Sequence, residues 1–139
     1  ESANKVAYKD FAHSPSKVSA TTKAVKAQYP DRKLIACLEL HTYSSLNAEF
    51  LKEYQGALDA ADVAVVFYSP DAVKIKRLEE VTYDQIAQSF QREDLIIYTN
   101  PTEFKDFLFN QNLENSALLL MSSGNYGGLN FDEVKGLIN

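Results

Sequence analysis

The residues of this chain best suited to hold a ligand are an early aspartate, two histidines and one serine- and glycine-bearing stretch. Asp10, His13 and Ser14 lie close together near the start. His41-Thr42-Tyr43-Ser44 follows an apolar run, and Ser122-Ser123-Gly124-Asn125-Tyr126-Gly127-Gly128 follows another. A carboxylate accepts hydrogen bonds from ligand hydroxyls. An imidazole beside a helix N-terminus is biased towards its neutral, hydrogen-bonding form. A glycine-bearing loop can turn successive N–H groups towards an anion. Each also has a plainer reading. Asp10 can help cap the following helix, His13 and His41 can be ordinary loop histidines, and Gly-x-x-Gly-Gly can be an ordinary turn. The residues alone leave both readings open.

Other chemistries lack their residues. The chain has no Gly-x-x-x-x-Gly-Lys-Ser/Thr phosphate loop, no Gly-x-Ser-x-Gly elbow and no His/Cys/carboxylate set at catalytic-zinc spacing. The turn Ala12-His13-Ser14-Pro15 has no glycine, which argues against a dinucleotide fingerprint. The single cysteine, Cys37, excludes an internal disulfide and sits in an apolar run, so it reads as a buried structural thiol.

The elements that must carry these residues alternate between strand-like and helix-like segments. Strands are predicted at Lys5–Phe11, Lys33–Leu40, Val63–Tyr68, Leu95–Tyr98 and Ala117–Met121. The second is apolar almost throughout, the mark of a strand buried on both faces. Ser14-Pro15 supplies an N-cap and a first-turn proline for a helix ending near Tyr29-Pro30. A helix from Asn47 to Leu58 is predicted from the stripe Phe50, Leu51, Tyr54 and Leu58, and another over Thr82–Phe90. Asn100-Pro101-Thr102-Glu103 has capping-box spacing before Phe104, Phe107 and Leu108, and Phe131–Ile138 predicts a closing helix. Such alternation predicts an α/β fold: a doubly wound, mostly parallel sheet with helices on both faces. Ligands of such sheets bind beyond the carboxyl ends of the strands, where every residue group named above falls.

Composition bounds the answer. At 139 residues with 45% hydrophobic and 24% charged residues, the chain is long enough for one cored domain and is not disordered. A net charge of −5 argues against a nucleic-acid partner, which needs a basic face. No apolar run reaches the roughly 20 residues that span a bilayer, and the polar start Glu-Ser-Ala-Asn-Lys shows no signal peptide. A cytoplasmic chain without membrane partners is expected. The missing initial Met predicts a single domain over 1–139 cut from something longer.

Tyr8-Lys9-Asp10-Phe11-Ala12-His13-Ser14-Pro15 resembles the Asp-Tyr-Ala-His-x-Pro signature that opens the C-terminal domain of the Mur ligases. Arg32–Ser44 and Phe50–Asp62 resemble the muramate–alanine ligase branch of that family. Within it, Asp-Phe-Ala-His-Ser-Pro, Glu-Leu-His-Thr-Tyr-Ser-Ser and Ser-Ser-Gly-Asn-Tyr-Gly-Gly look closest to the recycling ligases that attach L-alanyl-γ-D-glutamyl-meso-diaminopimelate. The resemblance implies a Rossmann-like C-terminal domain of an ATP-dependent ligase. UDP-sugar and ATPase domains would lie outside this chain, and the latter would hold most of the magnesium. ATP activates the muramoyl carboxylate of UDP-N-acetylmuramate as an acyl phosphate, and the incoming amine displaces phosphate. Carried over, Asp10, His13 and Ser14 contact the nucleotide. His41, Thr42 and Ser44, with Ser122, Ser123, Gly124 and Asn125, face the amino substrate. The resemblance assigns this chain no catalytic residue or metal ligand, and the isolated domain is expected to be inactive because the phosphate loop and sugar site would lie upstream. Leu40 and Ser45 stand where alanine ligases carry Pro and Arg, which tells against free L-alanine, since a bidentate carboxylate partner is lost. The alternatives are the alanine ligase itself and a stand-alone α/β binding or regulatory module. A lone Asp10, and Met121-Ser122 where a receiver domain carries Lys, disfavour the latter.

Overall fold

Apolar strands with covered faces pair in parallel across a five-stranded sheet in the order β1-β5-β2-β3-β4. The computed structural model describes residues 5–12, 14–40, 51–68, 83–122, 124 and 126–137. Along the chain run β1 (Lys5–Asp10), α1 (Pro15–Gln28), β2 (Lys33–Glu39), a 3-10 turn (Lys52–Tyr54), β3 (Val63–Phe67), α2 (Tyr83–Phe90), β4 (Ile96–Tyr98), α3 (Pro101–Phe109), β5 (Ser116–Met121) and α4 (Phe131–Lys135). The α/β class and parallel sheet are as the alternation predicts, with strand ends shifted by a residue or so.

The strand order explains the two helical layers. Steps from β1 to β4 move one way across the sheet, and β5 returns to insert between β1 and β2. Right-handed crossovers then put the outward and return connections on opposite faces. Val18 and Val25 of α1, Ile86 and Phe90 of α2, and Tyr54 pack with Leu34, Ala36 and Leu38. Phe104 and Leu108 of α3 and Val134 of α4 pack with Ile35 and Cys37. β2 therefore needs apolar side chains in both directions, which is why it reads as an unbroken apolar run.

Two local expectations are corrected. The helix over Asn47–Leu58 is not continuous: after the turn at Lys52–Tyr54 the chain runs through turns, and residues 41–50 lie outside the described set. Gln55 already leaves helical geometry at ψ 122° and Gly56 follows at φ +75°, a left-handed conformation, while Leu51, Tyr54 and Leu58 still reach the core. Ser14 stands at the N-cap of α1, but its side chain makes no capping hydrogen bond; Pro15 occupies the first turn as expected. At α3 the cap does form, with Asn100 Oδ1 accepting from the N–H of Thr102 at 2.8 Å and of Glu103 at 3.2 Å.

The amino edge of the sheet is closed by Asp62, whose Oδ2 accepts from the Leu34 N–H at 2.8 Å and from Lys26 Nζ at 2.7 Å. Partial burial pushes that carboxyl up, but the Leu34 N–H, Lys26 and Arg92 together hold it below the usual range. The carboxyl edge is built differently.

Candidate functional site

At the carboxyl edge, β1, β5 and β2 end level. Asp10 pairs in register with Met121, and Met121 with Leu38. β5 is also where the strand order reverses, the place at which open α/β sheets form a crevice. The chain leaves β5 through Ser122, whose N–H donates to the Asp10 carbonyl at 3.0 Å and extends the ladder by one bond. Asp10 and the 122–128 segment, far apart in sequence, are thereby held side by side.

Asp10 is half-buried, and its Oδ1 accepts from the Ala12 N–H at 2.8 Å. The carboxylate thus shapes the exit from β1 and does not cap α1. A carboxylate has about four acceptor positions, so this bond leaves capacity for ligand hydroxyls. Ser14 lies beyond it at the start of α1.

The 122–128 segment is held from beneath by a buried carboxylate at the end of β2. Glu39 is 3% exposed, and its Oε1 accepts from the Ser122 hydroxyl at 2.5 Å and from the Tyr126 N–H at 2.9 Å. Ser122 Oγ in turn accepts from the Gly124 N–H at 2.7 Å. Tyr126 sits at φ +55°, unusual for a residue with a Cβ, and its buried hydroxyl bridges the carbonyls of Met121 at 2.7 Å and Cys37 at 3.0 Å. Its ring stacks on Phe104 with centroids 4.9 Å apart. Burial pushes the Tyr126 phenol well above its usual range, reinforced by the nearby Cys37 and Glu39. Gly127 follows at φ +73°, where a Cβ would lie 2.7 Å from Cγ of Pro101. The loop is thus fixed at both ends by side chains inside the fold.

Asp10 and Ser122 are brought together as the sequence suggests, with Ser14 and Gly124 nearby in the chain. His13, His41, Thr42, Ser44, Ser123 and Asn125 lie outside the described residues. Ser122 is 3% exposed and its hydroxyl is engaged on both sides, which suits a loop support. Asn100, also at a strand end, serves as the α3 cap. Glu39 and Tyr126 are the residues that sequence reasoning did not single out. The available signal was an acid closing a strand otherwise apolar from Leu34 onwards. Among the described residues, no group of three or more His, Cys, Asp or Glu is placed to hold a metal ion. Nor is any described helix long and apolar enough to cross a membrane. The arrangement provides hydrogen-bonding groups on a rigid edge, suited to binding and orienting.

No protein-family model matches the chain. The UDP-N-acetylmuramate–L-alanine ligase of Sulfurihydrogenibium is 30% identical over 119 residues, which are 83% of this chain and 25% of that protein. A murein peptide ligase from Psychrobacter arcticus superposes with a TM-score of 0.73 at 17% identity, over 98% of this chain and 28% of that one. The chain is related to the Mur ligases and has the fold of their C-terminal domain. A domain assigned to a UDP-N-acetylmuramate:L-alanyl-γ-D-glutamyl-meso-diaminopimelate ligase of Haemophilus ducreyi gives a TM-score of 0.61 at 24% identity, covering 96% of this chain and 93% of that one. The chain spans about a quarter of the length of the Sulfurihydrogenibium ligase. In this relative of the Mur ligases, Asp10 of the motif closes β1 and Pro15 opens α1.

Proposed function

We propose that this chain is the C-terminal domain of a cytoplasmic, ATP-dependent ligase that joins L-alanyl-γ-D-glutamyl-meso-diaminopimelate to UDP-N-acetylmuramate in peptidoglycan recycling. The observation that carries this reading is the juxtaposition of Asp10 with the Glu39-anchored loop at the switch point of the sheet, within a chain related to the Mur ligases. The half-buried Asp10 carboxylate, with one oxygen on the Ala12 N–H, fits the hydroxyls of a ribose. On this reading Asp10, His13 and Ser14 orient the nucleotide. His41, Thr42, Ser44 and the segment 122–125 orient the amino substrate, with Ser122 shaping the loop and Gly124 lying within it. ATP supplies the phosphoryl group that activates the sugar's carboxylate, with magnesium and the phosphate loop held outside this chain. The domain's own part is to bind, orient and exclude water from a hydrolysable activated acid.

L-alanine as the amino substrate is the second reading, favoured by the name of the Sulfurihydrogenibium relative. ADP release by the full-length protein with UDP-N-acetylmuramate and either tripeptide or L-alanine decides between them. We expect the tripeptide to support turnover and L-alanine not to. Asp10→Ala in the same protein is expected to raise the KM for ATP about tenfold, the loss of a charge-assisted hydrogen bond, with the tripeptide KM little changed. An unchanged KM for ATP removes Asp10 from the nucleotide site.

A further inference from the structure

We infer that Glu39 is a positioning residue for the amino substrate, anchoring with its carboxylate both ends of the 122–126 loop proposed to contact it. The inference rests on the proposed function for the substrate's identity and on the geometry for the anchoring. Among the described residues Glu39 is the one charged side chain in the buried set. A buried carboxylate is costly unless hydrogen-bonded, so its bonds are the reason it fits there. Two bonds to Oε1 come from the 122–126 loop: the Ser122 hydroxyl at its start and the Tyr126 N–H at its end. The Gly124 N–H on Ser122 Oγ ties the middle of the loop to the same carboxylate through one intermediary.

The fold has other means of holding Tyr126. Its ring stacks on Phe104, and its hydroxyl spans the Met121 and Cys37 carbonyls. What Glu39 adds is one anchor shared by Ser122 and Tyr126. Glu39 is also the last residue of β2, so the chain that leads to His41 departs from the same anchor. A change at Glu39 therefore acts first on the 122–126 loop. Asp10, which meets the loop through a main-chain bond to Ser122, is less affected.

The test uses the full-length protein with Glu39→Ala, Glu39→Gln and Ser122→Ala. Glu39→Ala is expected to raise the KM for the tripeptide about tenfold or more, while the KM for ATP stays within about twofold. Glu39→Gln keeps an acceptor oxygen for both donors and is expected to restore most of the tripeptide KM. Ser122→Ala is expected to shift the same KM in the same direction, and it serves if Glu39→Ala does not fold. Amide hydrogen exchange at Gly124 and Tyr126 should quicken in the alanine variants while Leu118–Leu120 of β5 stay protected. Two KM values that move together, or loop exchange that does not change, overturn the inference alone. Wild-type protein that releases no ADP with either amino substrate overturns the proposed function and the substrate assigned to this anchor with it.

Discussion

Tyr126 combines three features that rarely coincide: a left-handed backbone, a fully buried ring and a hydroxyl shared between two main-chain carbonyls. Those carbonyls belong to Cys37 in β2 and Met121 in β5, so the phenol fastens the loop across neighbouring strands just where both end. Tyr126→Phe keeps the stacking on Phe104 and removes only the hydroxyl, leaving buried acceptors without that donor. We expect a loss of about 1–3 kcal/mol, seen as a lower urea midpoint at unchanged slope. A midpoint equal to wild type would show that the hydroxyl contributes nothing net. Glu39 makes the complementary point about reading residues. Its place at the end of an apolar run is visible in the sequence, but Ser122 and Tyr126, which it binds, lie more than eighty positions away. Nothing local distinguishes such a carboxylate from one that simply emerges into solvent. Tyr126 was hidden for a different reason, because a glycine-bearing stretch reads as a surface loop and its tyrosine as incidental.

Between elements, the loop meets the return helix through Tyr126 on Phe104 and through Gly127 on Pro101, the first residue of α3. Gly127 and Gly128 are both in positive-φ conformations, at +73° and +108°. They differ in surroundings: a Cβ on Gly127 would meet Pro101 Cγ at 2.7 Å, whereas one on Gly128 meets nothing within 4 Å. Gly127→Ala is expected to destabilise by more than about 1 kcal/mol, and by clearly more than Gly128→Ala, which carries backbone strain alone. Thermal melts of the two variants check this, and equal shifts would show that the Pro101 contact yields without cost. Element type and order were largely legible, because strands covered on both faces write continuous apolar runs and α3 is announced by Asn100-Pro101. The segment around Tyr54 was not. Leu51, Tyr54 and Leu58 keep helical spacing and are all buried, yet Gln55 and Gly56 together turn the chain out of a helix without disturbing that pattern. Periodicity reports which side chains face the core, and a 3-10 turn followed by further turns can meet the same demand.

For the molecule as a whole, the two hydrophobic clusters share β2, with Leu34, Ala36 and Leu38 serving one and Ile35 and Cys37 the other. Neither layer can detach without exposing this strand, which argues for one cooperative unit. Cys37 is a built-in reporter: it is 0% exposed, lies between β5 and β3, and burial pushes its thiol far up from the ordinary value. A thiol reagent should therefore react only through global opening, with a labelling free energy that matches urea unfolding. The same burial fixes the pH dependence. The unfolded thiol ionises near pH ~8.5, while the folded one keeps its proton. The contribution is fully present below that value and is lost as pH rises towards the raised folded value. From pH 7 to 9, stability should fall by on the order of 1 kcal/mol on account of Cys37. Cys37→Ala, though less stable throughout because it leaves a cavity, should lose that part of the slope. Tyr54 and Tyr126, whose phenols are raised by burial, add a decline of the same sign at higher pH, beyond the ordinary phenol range of ~10. Labelling that runs well ahead of global unfolding, or a pH slope that Cys37→Ala leaves intact, would mean that β2 opens separately from the two layers packed on it.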